Sequence, residues 1–229
     1  MLRTIAKRLM QLTPYEVSRR RPLEPDEHYD VIDHNSVDGM DRLFSNADFL
    51  ATYNSPGRKK LHAATLEWIV ARKPPEGAYL VGDFGCGPAD FFVLMARAYG
   101  ASTFYGYDFS PAVVRAAQHG FPSGAFQQHD IYTPPPRMHD ITVCSQTLEH
   151  LVEPDVALAR LIEATKTGGL LVLTVPDGRR DTYRGHINFW SRESWSSWLA
   201  RRLGGRRHEV MLVARGDGSV GNLGAVVVC

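Results

Sequence analysis

From residue 79 onwards, short apolar runs alternate with longer segments in which apolar side chains recur every three or four positions. The apolar runs cover 79–85, 102–110, 124–131, 140–147 and 170–176, and the periodic segments cover 89–100, 111–120 and 153–169. Strands that alternate with helices in this way predict an α/β fold with a parallel, doubly wound sheet. The last segment, 208–229, is typical of two strands joined by a glycine-rich turn, which predicts a hairpin at one edge of the sheet.

The first 75 residues follow a different pattern. Residues 1–25 mix basic and apolar side chains and predict a basic, amphipathic helical extension, whereas residues 26–75 predict a helical cap. Residues 76–229 would then form the sheet domain. Three interpretations of the extension remain open, namely a solvated helix, a contact between two copies in a homodimer, and peripheral attachment to a membrane.

Composition narrows the class of protein. The 229 residues are 44% hydrophobic and 22% charged, which is typical of a globular chain that buries a sizeable core. A formal net charge of +1 argues against extended nucleic-acid binding, which usually requires a strongly basic domain. The three cysteines form no CxxC pair, so no disulfide framework is expected and a reducing cytoplasm is the predicted location. No apolar run approaches the roughly 20 residues of a transmembrane helix.

The segment from Val81 to Asp90, VGDFGCGPAD, places two glycines directly after an apolar run. In a doubly wound sheet, ligands bind beyond the carboxyl ends of the strands. Gly85 and Gly87 allow a tight turn and let a ligand lie against bare backbone, while the following helix presents unpaired N–H groups to that ligand. The alternative is a plain strand-to-helix turn that is rich in glycine.

The next predicted strand ends in Asp108, 25 positions after Asp83. A carboxylate at this place accepts hydrogen bonds from both ribose hydroxyls of an adenosine. Ser110 is the better N-cap for the helix that begins at Pro111, which leaves Asp108 available for a ligand. A nicotinamide dinucleotide is disfavoured, because the third glycine of G-x-G-x-x-G would fall at Asp90, whose charge repels a pyrophosphate.

VGDFGCGPAD resembles motif I of the class I S-adenosylmethionine-dependent methyltransferases, and four further segments resemble later motifs of that family in the same order. They are GYDFSPAVVRAAQ, HDIYTPP, HDITVCSQTLEHL and ATKTGGLLVLTVP. The resemblance covers residues 79–229 and implies a mostly parallel, seven-stranded sheet with an antiparallel last strand. The chain departs from the family at Ala89, where a third glycine is common, and little effect is expected because alanine is small.

The resemblance implies that S-adenosylmethionine is the cofactor and S-adenosylhomocysteine the product. Asp83 would orient the amino group of the cofactor, directly or through water, and Asp108 would bind its ribose. Asp130, with Ile131, would frame the adenine, beside which Phe109 would stack, unless Asp130 only caps its own loop. The implied cofactor-binding set is Arg58, Asp83, Gly85, Cys86, Gly87, Asp108, Phe109, Asp130, Ile131 and Gln146.

The segment after the fourth predicted strand, SQTLEHL, faces the site of methyl transfer in this family. Gln146, Glu149 and His150 are three and four positions apart, so a helical turn would place them on one face. The segment resembles the E-x-x-E-H motif of ubiquinone-biosynthesis O-methyltransferases and small-RNA 2′-O-methyltransferases, in which Glu and His bind a divalent cation. His186 resembles a further metal-ligand histidine of the small-RNA enzymes.

Glu149, His150 and His186 are therefore the candidate catalytic and metal-binding residues, with Mg²⁺ or Mn²⁺ as the implied cation. Gln146 replaces the first Glu of the motif, which weakens a site for a hard cation. Without a metal, one histidine would serve as the general base for a hydroxyl acceptor. Each side chain also has a structural interpretation: His150 as a residue bonded to backbone, His186 as a packed loop histidine, and Glu149 as a solvated helix-end charge.

Aromatic residues crowd the region after the fifth predicted strand, namely Tyr183, Phe189, Trp190, Trp195 and Trp198. Most are expected in the core or in a lid, and a few would form the wall of an acceptor pocket. In the family that the chain resembles, the helical front would cover the cofactor with Tyr29, Phe44 and Tyr53. Arg58 would then reach the cofactor carboxylate, with a surface ion pair as the alternative.

The expected function is transfer of a methyl group to a hydroxyl of a small molecule, such as a sugar, a glycan or a natural-product intermediate. Alternatives within the family are N-methylation of a small amine or amino sugar and RNA 2′-O-methylation. For RNA, the RR pairs at 179–180, 201–202 and 206–207 would supply a local basic patch. Outside the family, the alternatives are a nicotinamide oxidoreductase and a protein that binds the cofactor without turnover.

Overall fold

The computed structural model describes residues 35–53, 55–183, 185–214, 218 and 220–229. The predicted extension (residues 1–25) and Tyr29 lie outside this part of the chain. Seven strands form one sheet in the order β3-β2-β1-β4-β5-β7-β6. The strands are β1 (Leu80–Phe84), β2 (Thr103–Asp108), β3 (Ala125–Gln128), β4 (His139–Ser145), β5 (Thr165–Pro176), β6 (His208–Ala214) and β7 (Val220–Val228).

The pairing of these strands confirms the predicted fold class. The five strands from β1 to β5 run parallel, whereas β7 runs antiparallel to both β5 and β6. The predicted hairpin of β6 and β7 lies at one edge, although most of its turn falls outside the described residues. Because β1 has β2 on one side and β4 on the other, the strand order reverses there and a crevice opens at the carboxyl ends.

Helices cover both faces of this sheet. They are α1 (Val37–Phe44), α2 (Ala47–Tyr53), α3 (Pro56–Val70), α4 (Asp90–Ala98), α5 (Pro111–Gly120), α6 (Pro154–Glu163) and α7 (Arg192–Arg202). One buried cluster joins α3 and α4 to the strands through residues such as Ile69 and Phe92, and a second joins α6 and α7 through residues such as Leu158 and Trp195. None of the described helices is long and apolar enough to cross a membrane.

The helix predicted over 153–169 is too long, because α6 ends at Glu163 and β5 begins at Thr165. The buried hydroxyl of Thr165 lies 2.8 Å from Thr142 Oγ1 and 2.8 Å from the Leu161 carbonyl oxygen. Gly168 then adopts a left-handed conformation with φ of 73°. Thr165 pairs with His139 and bonds to Thr142, both on β4, and these contacts of a β-branched residue outweigh the helical pattern of the sequence.

The sequence interpretation missed α7, which carries two of the crowded aromatic residues. Trp190, Trp195 and Trp198 are buried, and Trp195 Nε1 donates to the Gly224 carbonyl oxygen at 3.1 Å. These tryptophans therefore belong to the core. Tyr183 and Phe189, in contrast, are 42% and 41% exposed and lie in the loop between β5 and α7.

One carboxylate fixes α1 against the crevice. Asp41 Oδ1 accepts hydrogen bonds from the Ser110 hydroxyl and from the Ala112 N–H, with a nitrogen–oxygen distance of 3.2 Å for the latter. Both donors stand at the N-terminus of α5, where an acceptor also satisfies unpaired backbone N–H groups. As a consequence, α1 lies next to the carboxyl end of β2.

We expect Gly82→Ala to destabilise the protein by about 1–3 kcal/mol, because overpacking forces a buried neighbour to move. A Cβ atom at Gly82 would lie 2.6 Å from Nδ1 of His139, whose buried ring contacts the Tyr107 hydroxyl and the Ala164 carbonyl oxygen. The control is Gly57→Ala in α3, where the nearest atom is 3.9 Å away. Urea unfolding should show a loss only for Gly82→Ala, and equal stability of both variants would contradict the packing.

Candidate active site

A cavity of about 950 Å³ opens at the carboxyl ends of β1, β2, β3 and β4, beside α1 and α2. Its lining brings together most of the predicted site residues, namely Arg58, Gly85, Gly87, Asp108, Phe109, Asp130, Ile131, Gln146, Glu149, His150 and His186. Asp83 and Cys86 instead line a second cavity of about 10 Å³, which also touches Arg58 and Gly85. The large cavity is at the upper end of the range for a single bound ligand, so it has room for a cofactor and an acceptor together.

The turn after β1, which contains Gly85 and Gly87, exposes bare backbone to the cavity and is called the glycine cradle. Gly85 and Gly87 have φ values of 78° and 53°, in the left-handed region that favours glycine. A Cβ atom at Gly85 would lie 2.2 Å from Thr147 Oγ1, and one at Gly87 would lie 2.6 Å from the Tyr53 hydroxyl oxygen. Ala89, which stands where the family commonly has a third glycine, also has a positive φ, of 67°. This alanine therefore carries backbone strain of about 1 kcal/mol or more, and the expectation of little effect from the departure is wrong.

Two buried carboxylates stand at the ends of β1 and β2. Burial, together with the nearby charge of Asp108, raises the pKa of Asp83 to about 7. Burial also raises the pKa of Asp108 to about 6. Hydrogen bonds from the backbone N–H groups of Ser110, at 3.1 Å, and Gly87, at 3.4 Å, act in the opposite direction and lower this pKa. Within the described part of the chain, Asp83 Oδ1 has no hydrogen-bond partner. Ser110 caps α5 as predicted, but its N–H also occupies one oxygen of Asp108.

The predicted adenine end lies beyond β3. Asp130 is exposed, and its Oδ1 accepts the Tyr132 N–H at 3.0 Å, so one carboxylate oxygen caps its own loop. Ile131 is partly buried and packs against the core, while the Phe109 carbonyl oxygen accepts a hydrogen bond from Gln128 Nε2 at 2.9 Å. Two segments, at the carboxyl ends of β2 and β3, therefore form this end of the cavity.

Glu149, His150 and His186 come together at the other end of the cavity. Each offers one possible ligand atom, and these atoms lie within 4.8 Å of one another. Glu149 is fully buried, its carboxylate oxygens have no hydrogen-bond partner among the residues described, and His186 Nε2 lies 3.9 Å from Glu149 Oε1. Burial, with a smaller contribution from Asp181, raises the pKa of Glu149 to about 8. The interpretation of Glu149 as a solvated charge is therefore wrong.

The expected helical turn through Gln146 does not form. Gln146 has a left-handed φ of 56°, and only Leu148–His150 form a short 3₁₀ turn. The Gln146 side chain donates to Thr174 Oγ1 at 3.3 Å, while its N–H donates to the Thr174 carbonyl oxygen at 2.9 Å. Pairing with β5 thus fixes Gln146, although it still lines the cavity.

Two residues that sequence reasoning missed hold the histidines. Asp181 Oδ2 accepts a short hydrogen bond from His186 Nδ1. Asn35 Oδ1 and the Gly185 carbonyl oxygen lie 3.1 and 3.0 Å from His150 Nδ1. Asn35 is 115 positions from His150, and Asp181, although only five positions from His186, belongs to no motif that would have singled it out.

The loop between β5 and α7 is clamped onto the 3₁₀ turn. The Glu149 carbonyl oxygen accepts the N–H groups of Ile187 and Asn188 at 2.9 and 3.0 Å. Asn188 Nδ2 donates to the Leu151 carbonyl oxygen at 2.6 Å. These bonds place His186 against Glu149 although 36 residues of sequence separate them.

The helical front contributes an aromatic and a cationic side chain. Tyr53 and Phe44 line the cavity, as expected for a covering segment. The Arg58 guanidinium lies 4.0 Å above the Tyr53 ring and donates to the Tyr53 hydroxyl at 3.0 Å. Burial raises the pKa of Tyr53 to about 12, so the tyrosine remains a neutral partner that fixes the position of Arg58.

The chain is similar in sequence to known methyltransferases. A family model described as a methyltransferase domain matches residues 53–204. The trans-aconitate 2-methyltransferase of Delftia acidovorans is 32% identical over 117 residues, which cover 49% of this chain and 44% of that protein. The chain thus spans less than half the length of the curated relatives that it matches.

Solved structures share the fold. The N-methyltransferase NodS from Bradyrhizobium japonicum, in complex with S-adenosylhomocysteine, has a TM-score of 0.66 at 17% identity, with 84% of this chain and 97% of that chain covered. The [4+2]-cyclase SpnF has a TM-score of 0.60, also at 17% identity, with 73% and 80% covered. Proteins with different named activities share this architecture, so the fold alone does not identify the reaction.

We expect Glu149→Gln to stabilise the protein increasingly as the pH rises. The folded pKa of Glu149, about 8, lies above its ordinary value of 4.5, so the unfolded chain releases its proton first. The stability penalty therefore grows between pH 4.5 and 8 and is complete above pH 8. Melting temperatures in chelator should show a difference from wild type that widens by a few degrees from pH 5 to 9. A pH-independent difference, or the same trend in the exposed control Glu76→Gln, would contradict the burial of this charge.

Proposed function

Because the chain belongs to the methyltransferase domain family, we propose that it transfers the methyl group of S-adenosylmethionine to a hydroxyl group of a small molecule. The observation that carries the proposal is one cavity with two different ends. A glycine cradle and buried carboxylates form one end, and a cluster of two histidines and a glutamate forms the other. The acceptor remains within the class of sugars, glycans and natural-product intermediates.

The cofactor end has the features that S-adenosylmethionine requires. Cβ atoms at Gly85 and Gly87 would fill the cradle, so the bare backbone leaves space for the methionine part. Asp83, with an unsatisfied carboxylate oxygen, would receive the cofactor amino group, and the adjoining cavity has about the size of one water molecule. Asp108 would accept the ribose hydroxyls, and Arg58 would bind the carboxylate. When bound, S-adenosylmethionine supplies a methyl group activated by its sulfonium.

The residues at the acceptor end would position a hydroxyl and remove its proton. The Asp181 carboxylate holds the Nδ1–H of His186, so Nε2 is the nitrogen that can accept a proton from the acceptor. Tyr183 lies against both imidazoles, with ring centroids 4.8 Å from His186 and 6.3 Å from His150, and would supply a wall for the acceptor. Alignment of donor and acceptor in this enclosed space would account for much of the rate.

A divalent cation fits the same cluster. Two imidazoles and a carboxylate whose oxygens lack protein donors form a ligand set that suits Mn²⁺ better than Mg²⁺, since Mg²⁺ prefers oxygen ligands. Glu149, His150 and His186 would hold the ion, which would polarise an acceptor oxygen. N-methylation of a small amine is the second candidate function, because the buried carboxylate of Glu149 would also attract a basic amine.

S-adenosylhomocysteine should bind the full-length protein, and calorimetric titration at several pH values tests the assigned residues. Gly85→Arg should abolish binding by filling the cradle, and Asp108→Ala should weaken it about 10- to 100-fold through loss of charged hydrogen bonds. The affinity of the wild type should fall from pH 8 to 5, as Asp83 and Asp108, with pKa values near 7 and 6, take up protons. Gly100→Arg, an exposed glycine, is the matched control and should bind normally. Unchanged affinity in the two site variants would reject these assignments.

Mn²⁺ titration tests the metal part of the proposal without knowledge of the acceptor. Calorimetry should detect one Mn²⁺ per chain, and His150→Ala should lose this binding while S-adenosylhomocysteine affinity stays within about twofold, because the histidine lies at the acceptor end. The exposed His119→Ala variant is the control and should retain the ion. Failure of the wild type to bind Mn²⁺ would leave proton removal by His186 as the mechanism.

A further inference from the structure

The hydrogen bonds of His186 determine which of its ring nitrogens faces the acceptor end of the cavity as an acceptor. A carboxylate oxygen can only accept, so the short contact between Asp181 Oδ2 and His186 Nδ1 requires the proton to be on Nδ1. The second nitrogen, Nε2, is then an acceptor, and it faces the Glu149 carboxylate at 3.9 Å. This distance is too long for a hydrogen bond, so no proton is shared directly between the two groups.

Asp181 is itself held in place. Its Oδ1 accepts the Tyr183 N–H at 3.0 Å, its own N–H donates to the Asp177 carbonyl oxygen at 3.2 Å, and its side chain is only 6% exposed. The carboxylate therefore cannot turn away from His186 without breaking the loop geometry. The orientation of the imidazole is determined by this loop rather than by contacts inside the cavity.

His150 is fixed in the same tautomer by different groups. Its Nδ1 lies 3.0 Å from the Gly185 carbonyl oxygen, which can only accept, so Nδ1 carries the proton. Asn35 donates from Nδ2 to the same carbonyl oxygen at 3.0 Å and turns its own Oδ1 towards His150 Nδ1 at 3.1 Å. Nε2 of His150 is consequently also an acceptor. The two imidazole rings lie with centroids 4.6 Å apart.

Among the described residues, the cluster at this end of the cavity thus consists of two imidazoles with Nε2 as acceptor and the Glu149 carboxylate. Arg58 is the one lysine or arginine in the described cavity lining, and it is engaged with Tyr53. Asp181 adds a further carboxylate behind His186. A carboxylate ligand would bring only acceptors and negative charge into these surroundings, whereas a hydroxyl or an amine brings the missing donors.

We propose that Asp181 and Asn35 are positioning residues that lock both imidazoles with Nε2 as acceptor, so that the acceptor end, when it holds no cation, admits hydrogen-bond donors and rejects carboxylates. The inference rests on the proposed function, because it specifies the class of acceptor for that site. It separates this chain from its curated relatives, since trans-aconitate, the acceptor in their printed name, is a polycarboxylate. A neutral polyol or a phenol with adjacent hydroxyls satisfies the cluster best.

The tautomers can be measured without any substrate. Full-length protein labelled with ¹⁵N-histidine, kept in chelator, should show protonated Nδ1 and unprotonated Nε2 for both His150 and His186. Asp181→Ala should release only His186 into mixed tautomers, and Asn35→Ala should affect only His150, while buried His139 reports that the fold is intact. In Asp181→Asn the amide oxygen stays with the Tyr183 N–H, so the NH₂ group faces His186 Nδ1 as a donor and should turn His186 to the Nε2-protonated tautomer. An Nε2-protonated His186 in the wild type, or an unchanged tautomer in Asp181→Ala, would overturn the lock.

The ligand class is tested with a matched pair of probes in the presence of S-adenosylhomocysteine and chelator. Catechol and phthalate share a ring but carry two adjacent hydroxyls or two adjacent carboxylates. Catechol should bind at least about tenfold more tightly than phthalate, and Asp181→Ala should reduce this preference to about threefold or less. Equal binding, tighter phthalate binding, or binding of neither probe would overturn the assigned class. If S-adenosylhomocysteine itself does not bind, the proposed function fails, whereas the tautomer measurement still decides the lock.

Discussion

The central position of β1 in a parallel sheet is the constraint on which the rest of the structure depends. β1 pairs with β2 and β4 at once, so Asp83 lies opposite both Gly106 and Val143. The carboxyl ends of β1, β2 and β4 therefore lie side by side at one edge of the sheet. For this reason the glycine turn, Asp108 and the 3₁₀ turn surround one cavity, although Gly85 and Glu149 are 64 positions apart in sequence.

The site contains buried carboxylates whose ionisation costs free energy. Asp83, Asp108 and Glu149 are all buried, and all three have raised pKa values because the charged carboxylate loses its hydration. Such groups reduce the stability of the folded chain at neutral and alkaline pH. A ligand that brings donors or positive charge recovers part of this cost when it binds. Asp83 Oδ1 and the Glu149 carboxylate, which have no hydrogen-bond partner among the described residues, are thus more informative about function than about stability.

The two ends of the cavity differ in what fixes them. At the cofactor end, strand termini and a glycine turn determine the geometry, whereas the match to the methyltransferase family covers both ends. At the acceptor end, the loop between β5 and α7 determines it through Asp181 and through backbone bonds to Glu149. Loops vary among proteins of one fold far more readily than strand ends do. The acceptor is accordingly the property in which relatives with the same domain are expected to differ.

The sequence by itself determined the fold class, the glycine turn and the carboxylates at the strand ends, because alternating periodicity and turn residues act locally. Local patterns also misled: Gln146 was expected on a helical turn, and the helix predicted to 169 ends at Glu163. In both places pairing with a neighbouring strand decided the backbone. Only the tertiary structure showed that Asn35 meets His150 and that Asp181 meets His186. The first pair is 115 positions apart and the second is joined by an irregular loop, and neither arrangement leaves a periodicity or motif to read.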